Sequence, residues 1–429
     1  MTAAPGFPQR QFARLSKVEP GEGRAVLAAF FLFFFVLGSY FAVRPARETI
    51  ATLLGREYVA DLWLYTAIFS VAIIPLYGWL VARVRRSVLL PCIYGSVSLM
   101  LVGLGLAMGT GEIGRGVGSF FYVWISVLNV MLVSVFWSFL LELFSSEQTR
   151  RLFGFIAAGG TFGALVGPLL TALLADVLGV PGLLYMAAVG FAGAIGCQLV
   201  LLAVWKGRTD GAPAEGGLGG NPFAGFTQVL SSPYLLGIAA FVCLLSAANT
   251  ILYFEQLRLV EETFADPDRR TQVFATLDVV VQSLTVATQL FLTGRIATRL
   301  GVKALLTLLP VLMIGAFLAL AAFNAFAVLA AAIVLRRWGE YALVRPGREM
   351  LFSKLDTEAK YKAKSFIDVP VYRLADYVGG QAKTAVDAVT ASPTVSVLVG
   401  AGLAGVWALN GLWLGRRHDA APGRAVPRS

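Results

Sequence analysis

The sequence predicts an all-α membrane protein whose twelve transmembrane helices form two six-helix bundles. The chain of 429 residues is 57% hydrophobic and only 14% charged, whereas a soluble domain carries about 25% charged residues. Twelve apolar runs are long enough to cross a bilayer, which takes about 20 residues each. A weak repeat relates the first six runs to the last six, and matched halves are typical of transporters built from two bundles.

These runs set the expected boundaries. The predicted domains are a cytoplasmic N-terminal tail (1–24), a first bundle (25–205), a Gly-rich cytoplasmic linker (206–232), a second bundle (233–415) and a cytoplasmic C-terminal tail (416–429). The predicted spans are 25–54, 58–82, 87–109, 117–143, 153–175, 182–205, 233–257, 271–296, 302–322, 325–353, 365–390 and 393–415. Because the first run shows no cleavage site for a leader peptide, we interpret it as the first transmembrane helix.

The distribution of basic residues predicts which side of the membrane each loop occupies. The two tails, the linker and the even-numbered loops hold 22 Lys and Arg residues, and the odd-numbered loops hold 4. In this count the span-end residues Arg295 and Lys303 belong to the eighth loop and Arg258 belongs to the seventh span. Basic residues concentrate in cytoplasmic loops. We therefore expect an integral protein of the plasma membrane, the inner membrane of a bacterium, with both termini in the cytoplasm.

The loop after the eighth span carries a recognisable pattern. Gly294-Arg-Ile-Ala-Thr298-Arg299-Leu-Gly301-Val-Lys303 resembles the loop signature of the major facilitator superfamily, with Thr298 in place of the usual Asp. A more divergent copy follows the second span. The resemblance implies a major facilitator architecture, with the solute site between the bundles near mid-membrane.

Two copies of one charged motif give the main functional signal. The motif is Arg44-Pro45-Ala46-Arg47-Glu48 in the first span and Arg345-Pro346-Gly347-Arg348-Glu349 in the tenth. The i,i+4 spacing predicts that the first arginine of each copy pairs with the glutamate, which leaves the second arginine for another partner. Arginine stays charged in proteins, so at membrane depth it requires an anion. Solute recognition and a structural salt bridge between helices both remain open.

Further charges lie at membrane depth near the second copy. Arg336, Arg337 and Glu340 precede it, and each charge at the centre of a membrane helix costs roughly 2.5–3.5 kcal/mol. Such residues must pair or line a water-filled cavity. Arg373 and Asp376 share a helix face in the eleventh span and join the candidates.

Three acidic residues in other spans complete the set. Glu142 is either a cavity carboxylate or a helix-end acid near the headgroups, and Glu255 either contacts solute or pairs with Arg258. Asp278 begins a polar stripe that contacts solute or forms hydrogen bonds between helices; its other members are Gln282, Thr285 and Gln289. The predicted substrate-binding residues are Arg44, Arg47, Glu48, Glu142, Glu255, Asp278, Arg337, Glu340, Arg345, Arg348, Glu349, Arg373 and Asp376.

The stretch around the tenth span resembles the ATP/ADP carrier family of plastids and obligate intracellular bacteria. Residues 344–380 are similar to the family's segment with Phe-Asp-Pro-x-Lys-Glu-Met, a Lys-rich loop and Ile-Asp-Val. FWSFLLE (136–142) looks like its Phe-Trp-Gly-Phe-x-Asn-Glu, and the first-span motif (44–48) looks loosely like its Arg-Asp-x-x-Lys-Asp. The resemblance implies nucleotide exchange, with these residues in contact with nucleotide: Glu142, Arg348 and Glu349, then Arg47 and Glu255. Arg345 departs from the family, which has an acidic residue there.

These features predict a secondary transporter that moves a phosphorylated or organic anion by alternating access, with ATP/ADP exchange as the leading hypothesis. Proton-coupled transport of another solute and a non-transporting scaffold or sensor stay open as alternatives. We expect no enzyme activity, because the sequence has no phosphate-binding GxxxxGK[ST] loop. We expect no cofactor and no metal, since the only histidine, His418, lies in the C-terminal tail. The expected partners are a small anion and the lipid bilayer, without nucleic acid, and the chain is expected to be a monomer.

Overall fold

The computed structural model describes residues 19, 21–109, 113–205, 224–354, 363–364, 366–390 and 392–420. Most of the predicted tails, the Gly-rich part of the linker and the loop 355–362 lie outside these residues. The described part is helical and contains no β-strand. The predicted all-α class is therefore confirmed.

Thirteen α-helices follow one another in the described residues. They are α1 (Gly23–Leu54), α2 (Arg56–Arg83), α3 (Arg86–Met108), α4 (Arg115–Leu143), α5 (Ser146–Val204), α6 (Ala224–Ser231), α7 (Pro233–Thr263), α8 (Pro267–Thr288), α9 (Gly294–Ala322), α10 (Phe326–Gly339), α11 (Arg345–Leu351), α12 (Tyr372–Thr390) and α13 (Pro393–Ala420). Three π-helical segments interrupt the later helices, at Gln289–Thr293, Glu340–Val344 and Ile367–Val371. A short 3-10 turn covers Phe352–Lys354.

Seven helical stretches in the described residues are long and apolar enough to cross a membrane. They are Gly23–Leu54, Ser87–Met108, Arg115–Leu143, Arg151–Val204, Pro233–Thr263, Pro267–Ala322 and Pro393–Ala420. Two of them contain a glycine with positive φ, Gly179 at 60° and Gly301 at 76°. Only glycine adopts this backbone conformation readily, and each such glycine marks the junction of two predicted spans. The second, tenth and eleventh predicted spans are not among the seven. The tenth and eleventh are rich in charge.

The chain divides into two compact units. Unit 1 comprises 1–50, 73–217 and 267–279, and unit 2 comprises 51–72, 218–266 and 280–429. This division assigns short stretches differently from the sequence, which placed the boundary in the linker. The predicted domains stay a prediction.

In unit 1, small residues bring α1 and α5 into close backbone contact. A Cβ atom on Gly163 would lie 2.2 Å from the carbonyl oxygen of Phe34, so only glycine fits at this crossing. Small residues are common where membrane helices approach closely. The Arg-Pro-x-Arg-Glu motif begins ten residues further along α1, about three helical turns beyond this contact.

In unit 2, the core lies between α7, α9, α10 and α13. Phe241, Phe317 and Trp407 are fully buried there, and the rings of Phe241 and Trp407 meet edge to face at 5.6 Å. Burial of large aromatic side chains contributes strongly to packing. This core holds the charged end of α10 and the segments that follow it.

Polar side chains of the eighth predicted span satisfy carbonyl groups within the π segment after α10. Gln289 donates from Nε2 to the carbonyl of Tyr341 at 3.0 Å, and Thr293 donates from Oγ1 to the carbonyl of Ala342 at 2.8 Å. A π segment changes the backbone hydrogen-bond pattern, and buried carbonyl groups need donors. The sequence left two roles open for the polar stripe, solute contact and hydrogen bonding between helices. At Gln289 the structure shows hydrogen bonding.

Candidate substrate-binding charges

Arg47 and Glu48 form an ion pair on α1 between adjacent residues. Arg47 also donates a hydrogen bond from Nη1 to Ser126 Oγ at 3.1 Å, and its guanidinium lies 5.5 Å from the ring centre of Tyr122. Both neighbours belong to α4. The guanidinium is thus held between α1 and α4, with an acid on one side and an aromatic ring on another.

Arg44 lies 3.9 Å from Asp278 of α8, measured from Nη1 to Oδ2. One turn further along α1, the hydroxyl groups of Thr49 and Thr271 are hydrogen-bonded at 2.6 Å. The predicted pair between Arg44 and Glu48 is therefore wrong, because a helix of the second half of the chain supplies the carboxylate. We call Arg44, Arg47, Glu48 and Asp278 the helix-1 cluster.

Two arginines share the carboxylate of Glu340. Arg336 Nη1 lies 2.8 Å from Oε2, and Arg345 Nη2 lies 3.4 Å from Oε1. Arg345 and Glu340 are five residues apart, and the backbone N–H of Arg345 also binds the carbonyl of Glu340. The i,i+5 geometry of a π-helix places such residues on one face, which explains why the predicted pair between Arg345 and Glu349 is wrong.

The other two charges of the second motif pair outside their own helix. Arg348 Nη2 lies 3.2 Å from Asp368 Oδ1, and Glu349 accepts a hydrogen bond from Lys364 Nζ at 2.6 Å. Asp368 was absent from the sequence-based candidates although it stands in the Ile-Asp-Val stretch of the carrier resemblance, the one signal that indicated it. We call Arg336, Glu340, Arg345, Arg348 and Asp368 the helix-10 cluster.

Arg373 and Asp376 come together as the shared helix face predicted. Their side chains are 3.8 Å apart, and Asp376 accepts a hydrogen bond from Ser246 of α7 at 2.6 Å. Asp376 also lies within electrostatic range of Glu340 and Arg336. These two residues therefore border the helix-10 cluster.

Glu255 belongs to a separate buried network in unit 2. It pairs with Arg258 at 2.7 Å and with Lys383 at 2.9 Å, and both Glu255 and Lys383 are about 98% or more buried. Lys383 also pairs with Asp387 at 2.6 Å. Of the two readings left open for Glu255, the pair with Arg258 is present, and Lys383 is a partner that the sequence did not indicate.

Two further candidates differ in their exposure to solvent. Glu142, near the end of α4, is exposed, and Arg337, near the end of α10, is buried. The structure therefore brings nine of the thirteen predicted residues into the two clusters and the bordering pair, and Glu142, Glu255, Arg337 and Glu349 are outside them. The roles of all thirteen in solute binding stay predictions.

The two clusters differ in charge balance. In the helix-1 cluster, two arginines contact two carboxylates. In the helix-10 cluster, three arginines contact the two carboxylates Glu340 and Asp368. Arg345 is the most accessible of the three, with 57% of its side chain exposed, and it lies 4.5 Å from the ring centre of Tyr341. A compact anion would complete the pairing there.

The sequence profile of the Major Facilitator Superfamily matches residues 29–344. No curated protein sequence matches the chain significantly. The profile covers the first span through the π segment before Arg345, so it includes both the helix-1 cluster and the start of the helix-10 cluster.

Solved structures of transporters share the fold. A bacterial homologue of the human lysosomal transporter Spinster has a TM-score of 0.63 and 14% identity, over 95% of this chain and 100% of that one. The nucleoside transporter NupG has a TM-score of 0.64 and 13% identity, over 92% of this chain and 99% of that one. An autoinhibited peptide transporter of the POT family has a TM-score of 0.64 and 15% identity, over 95% and 99%. At such identities the likeness concerns the fold.

Proposed function

We propose, from the premise that this chain belongs to the major facilitator superfamily, that it exchanges phosphorylated or organic anions across the membrane, with nucleotides as the leading solutes. Membership makes the chain an integral membrane protein and a secondary transporter. The solute and the exchange mode are the proposal. One observation carries it, the surplus of arginine in the helix-10 cluster.

The surplus of arginine favours an anionic solute because a positive charge at membrane depth needs a negative partner. A buried arginine cannot lose its proton, and an uncompensated charge in the membrane interior is costly. Three arginines against two carboxylates therefore select for a solute that brings negative charge. Arginine binds phosphate and carboxylate through two parallel hydrogen bonds, which fits a phosphorylated solute.

The aromatic neighbours support a nucleotide among the possible anions. Tyr341 stacks with Arg345, and Tyr372 follows the π segment that contains Asp368. Aromatic faces stack with nucleobases. The resemblance of the tenth span to the ATP/ADP carriers and the shared fold with a nucleoside transporter are both compatible with this choice.

Transport by exchange is tested in proteoliposomes. We expect labelled ATP to enter vesicles preloaded with ADP, and to enter empty vesicles far more slowly. Uptake into empty vesicles that an imposed pH gradient drives would contradict exchange and favour proton coupling. Absence of transport for nucleotides, sugar phosphates and carboxylates alike would favour a scaffold or sensor.

Substitutions of Arg348 test whether the helix-10 cluster contacts the solute. We expect Arg348→Ala to reduce exchange by about 100-fold or more, since hydrogen bonds to a charged group contribute roughly 1.5–3 kcal/mol each. We expect Arg348→Lys, which keeps the charge but loses the fork, to reduce exchange by about tenfold. Transport is measured per folded molecule, and Arg417→Ala at the end of α13 serves as the control.

A double variant separates solute contact from structural pairing. Arg348→Ala leaves the carboxylate of Asp368 without its arginine, so Arg348→Ala with Asp368→Asn removes that penalty. If Arg348 contacts solute, the double variant regains thermal stability but stays inactive. Recovery of exchange in the double variant would show that Arg348 only neutralises Asp368.

The orientation is part of the same proposal. The excess of basic residues in the tails and even-numbered loops supports cytoplasmic termini in a bacterial inner membrane. We expect Gly217→Cys, in a background without the native cysteines, to react with an impermeant maleimide only from the cytoplasmic side. Reaction from outside in intact cells would reverse the orientation.

A further inference from the structure

An apolar groove runs along unit 1 between the beginning of α1 and the end of α5. Its volume is about 460 Å³, within the range of roughly 300–1,000 Å³ that is typical of small-molecule sites. Gly193 and Gly196 line the α5 side, and Phe31 and Phe35 line the α1 side. A Cβ atom on Gly196 would meet no other atom within 4 Å, so the groove is open at this position.

The groove has the length of one membrane leaflet. The two helices are antiparallel there, since Gly193 lies against the ring of Phe35 and Gly190 lies against Ser39. From Arg24 to Phe35, α1 rises about 16 Å at 1.5 Å per residue. The hydrocarbon core of a bilayer is about 30 Å thick, so one leaflet measures about 15 Å.

The walls of the groove are apolar and accessible. Phe31 is 46% exposed and Val200 is 54% exposed. Both lie in stretches that are long and apolar enough to cross a membrane. In the membrane these side chains therefore meet acyl chains.

The exposed arginine Arg24 lies at one end of the groove. Arg24 lines it and is exposed, and among the described residues no carboxylate forms an ion pair with Arg24. Its neighbour Arg151 is neutralised, since it pairs with Glu22 at 2.8 Å and with Glu19 at 3.3 Å. Among the described residues that line the groove, Arg24 is the one cation, and it lies on the side predicted to be cytoplasmic.

We propose that this groove is a binding site for an anionic phospholipid, with one acyl chain along Phe31, Phe35 and Gly196 and the phosphate on Arg24. The length and apolar lining of the groove match an acyl chain, and the guanidinium of Arg24 matches the phosphate. The negatively charged inner leaflet attracts basic residues at about 1 kcal/mol each. The site is independent of the solute and of the exchange reaction.

Native mass spectrometry of the purified full chain tests the proposal with two probes, phosphatidylglycerol and phosphatidylcholine of identical acyl chains. We expect the wild type to retain phosphatidylglycerol in preference. We expect Arg24→Gln to reduce that preference about fivefold, the factor that corresponds to about 1 kcal/mol. Arg416→Gln is the matched control, an exposed arginine at the end of α13 outside the groove.

A second variant tests the acyl-chain part. A Cβ at Gly196 meets no atom within 4 Å, so Gly196→Leu adds its side chain to the space of the groove, and we expect it to lose retention of both lipids. Gly402→Leu is its control, because a Cβ at this helical glycine also meets no atom within 4 Å. Thermal unfolding of all four variants shows whether each one folds.

Cys197 provides a readout inside the groove. It is partly buried and lines the groove. In a variant with Cys92→Ser and Cys243→Ser, we expect phosphatidylglycerol to slow maleimide labelling of Cys197 more than phosphatidylcholine does. Equal retention and equal protection by the two lipids, or equal effects of Arg24→Gln and Arg416→Gln, would overturn the proposal.

Discussion

The Arg-Pro-x-Arg-Glu motif occurs twice, and its two copies make different contacts. On α1 the glutamate Glu48 pairs with the arginine beside it, and Arg44 reaches Asp278 of α8. After α10 the glutamate Glu349 turns to Lys364, while the two arginines of the motif bind Glu340 and Asp368. Identical residue types at identical spacing thus enter two unlike environments.

The backbone before each copy accounts for the difference. Residues Gly23–Leu54 form one continuous α-helix around Pro45, whereas the π segment Glu340–Val344 directly precedes Arg345. Proline opposes a regular helix because its ring meets the carbonyl four residues earlier, and Pro346 lies at the start of a new helix. The second copy therefore shares its carboxylate across the π segment and accumulates an excess of arginine, which the first copy lacks.

The largest expected difference between the copies is in stability. Glu340→Gln leaves Arg336 and Arg345 without their shared carboxylate, and loss of one partner of a buried ion pair costs about 3–5 kcal/mol. Glu48→Gln removes the partner of Arg47 alone, which keeps its hydrogen bond to Ser126. We expect a smaller loss there. Thermal unfolding in lipid nanodiscs measures the stability loss of each variant. Equal losses for Glu340→Gln and Glu48→Gln would contradict the expectation that the carboxylate shared by two arginines matters more.

The third position of the motif gives the next largest effect. A Cβ on Gly347 would lie 2.9 Å from Cβ of Leu305, so we expect Gly347→Ala to cost about 1–3 kcal/mol through overpacking. Ala46 occupies the same position on α1 and is fully buried. We expect Ala46→Gly to cost about 1 kcal/mol through helix propensity. A Gly347→Ala protein as stable as wild type would show that α9 can shift away from the added methyl group.

A smaller effect concerns the pair between Arg44 and Asp278. At 3.9 Å the pair is longer than that between Arg336 and Glu340. A double-mutant cycle with Arg44→Gln and Asp278→Asn should give a coupling of about 1 kcal/mol, within the 0.5–3 kcal/mol of residues in contact. The same cycle with Arg336→Gln and Glu340→Gln should give more. A coupling near zero for the first pair would remove Asp278 from the helix-1 cluster.

The smallest effect tests the π segment that only the second copy has. Gln289→Leu removes the donor to the carbonyl of Tyr341, and hydrogen bonds between membrane helices contribute about 0.6 kcal/mol on average. We expect a loss of that size in unfolding free energy. Gln282→Leu, in the same polar stripe, is the control. Losses of equal size in both variants would mean that the carbonyl of Tyr341 needs no side-chain donor.

The sequence was sufficient for the helical class, and it indicated most of the charged residues that meet in the two clusters. Apolar length predicts spans, and charge at membrane depth indicated Arg348, Glu340 and Asp376 because such residues are costly unless they have a role. The positions of Gly179 and Gly301 agree with the predicted junctions between spans. The match of residues 29–344 to the superfamily confirms the transporter class.

The pairings could not be predicted from the sequence. The i,i+4 rule assumes a regular α-helix, and the π segment at Glu340–Val344 invalidates it for Arg345. Lys383 is 128 residues from Glu255, and no periodicity within one helix fixes its register against another. Asp368 was missed for the same reason, since its importance comes from Arg348 on a different segment.

The π segment after α10 also makes the site sensitive to chain length. An extra residue in one helical turn shifts everything beyond it by one position, which is about 100° of rotation. A homologous sequence that lost one residue between Glu340 and Val344 would retain every charge of the helix-10 cluster. Its Arg345 and Arg348 would nevertheless turn away from Glu340 and Asp368, so an alignment that matches the charges but not the length would pair proteins with different sites.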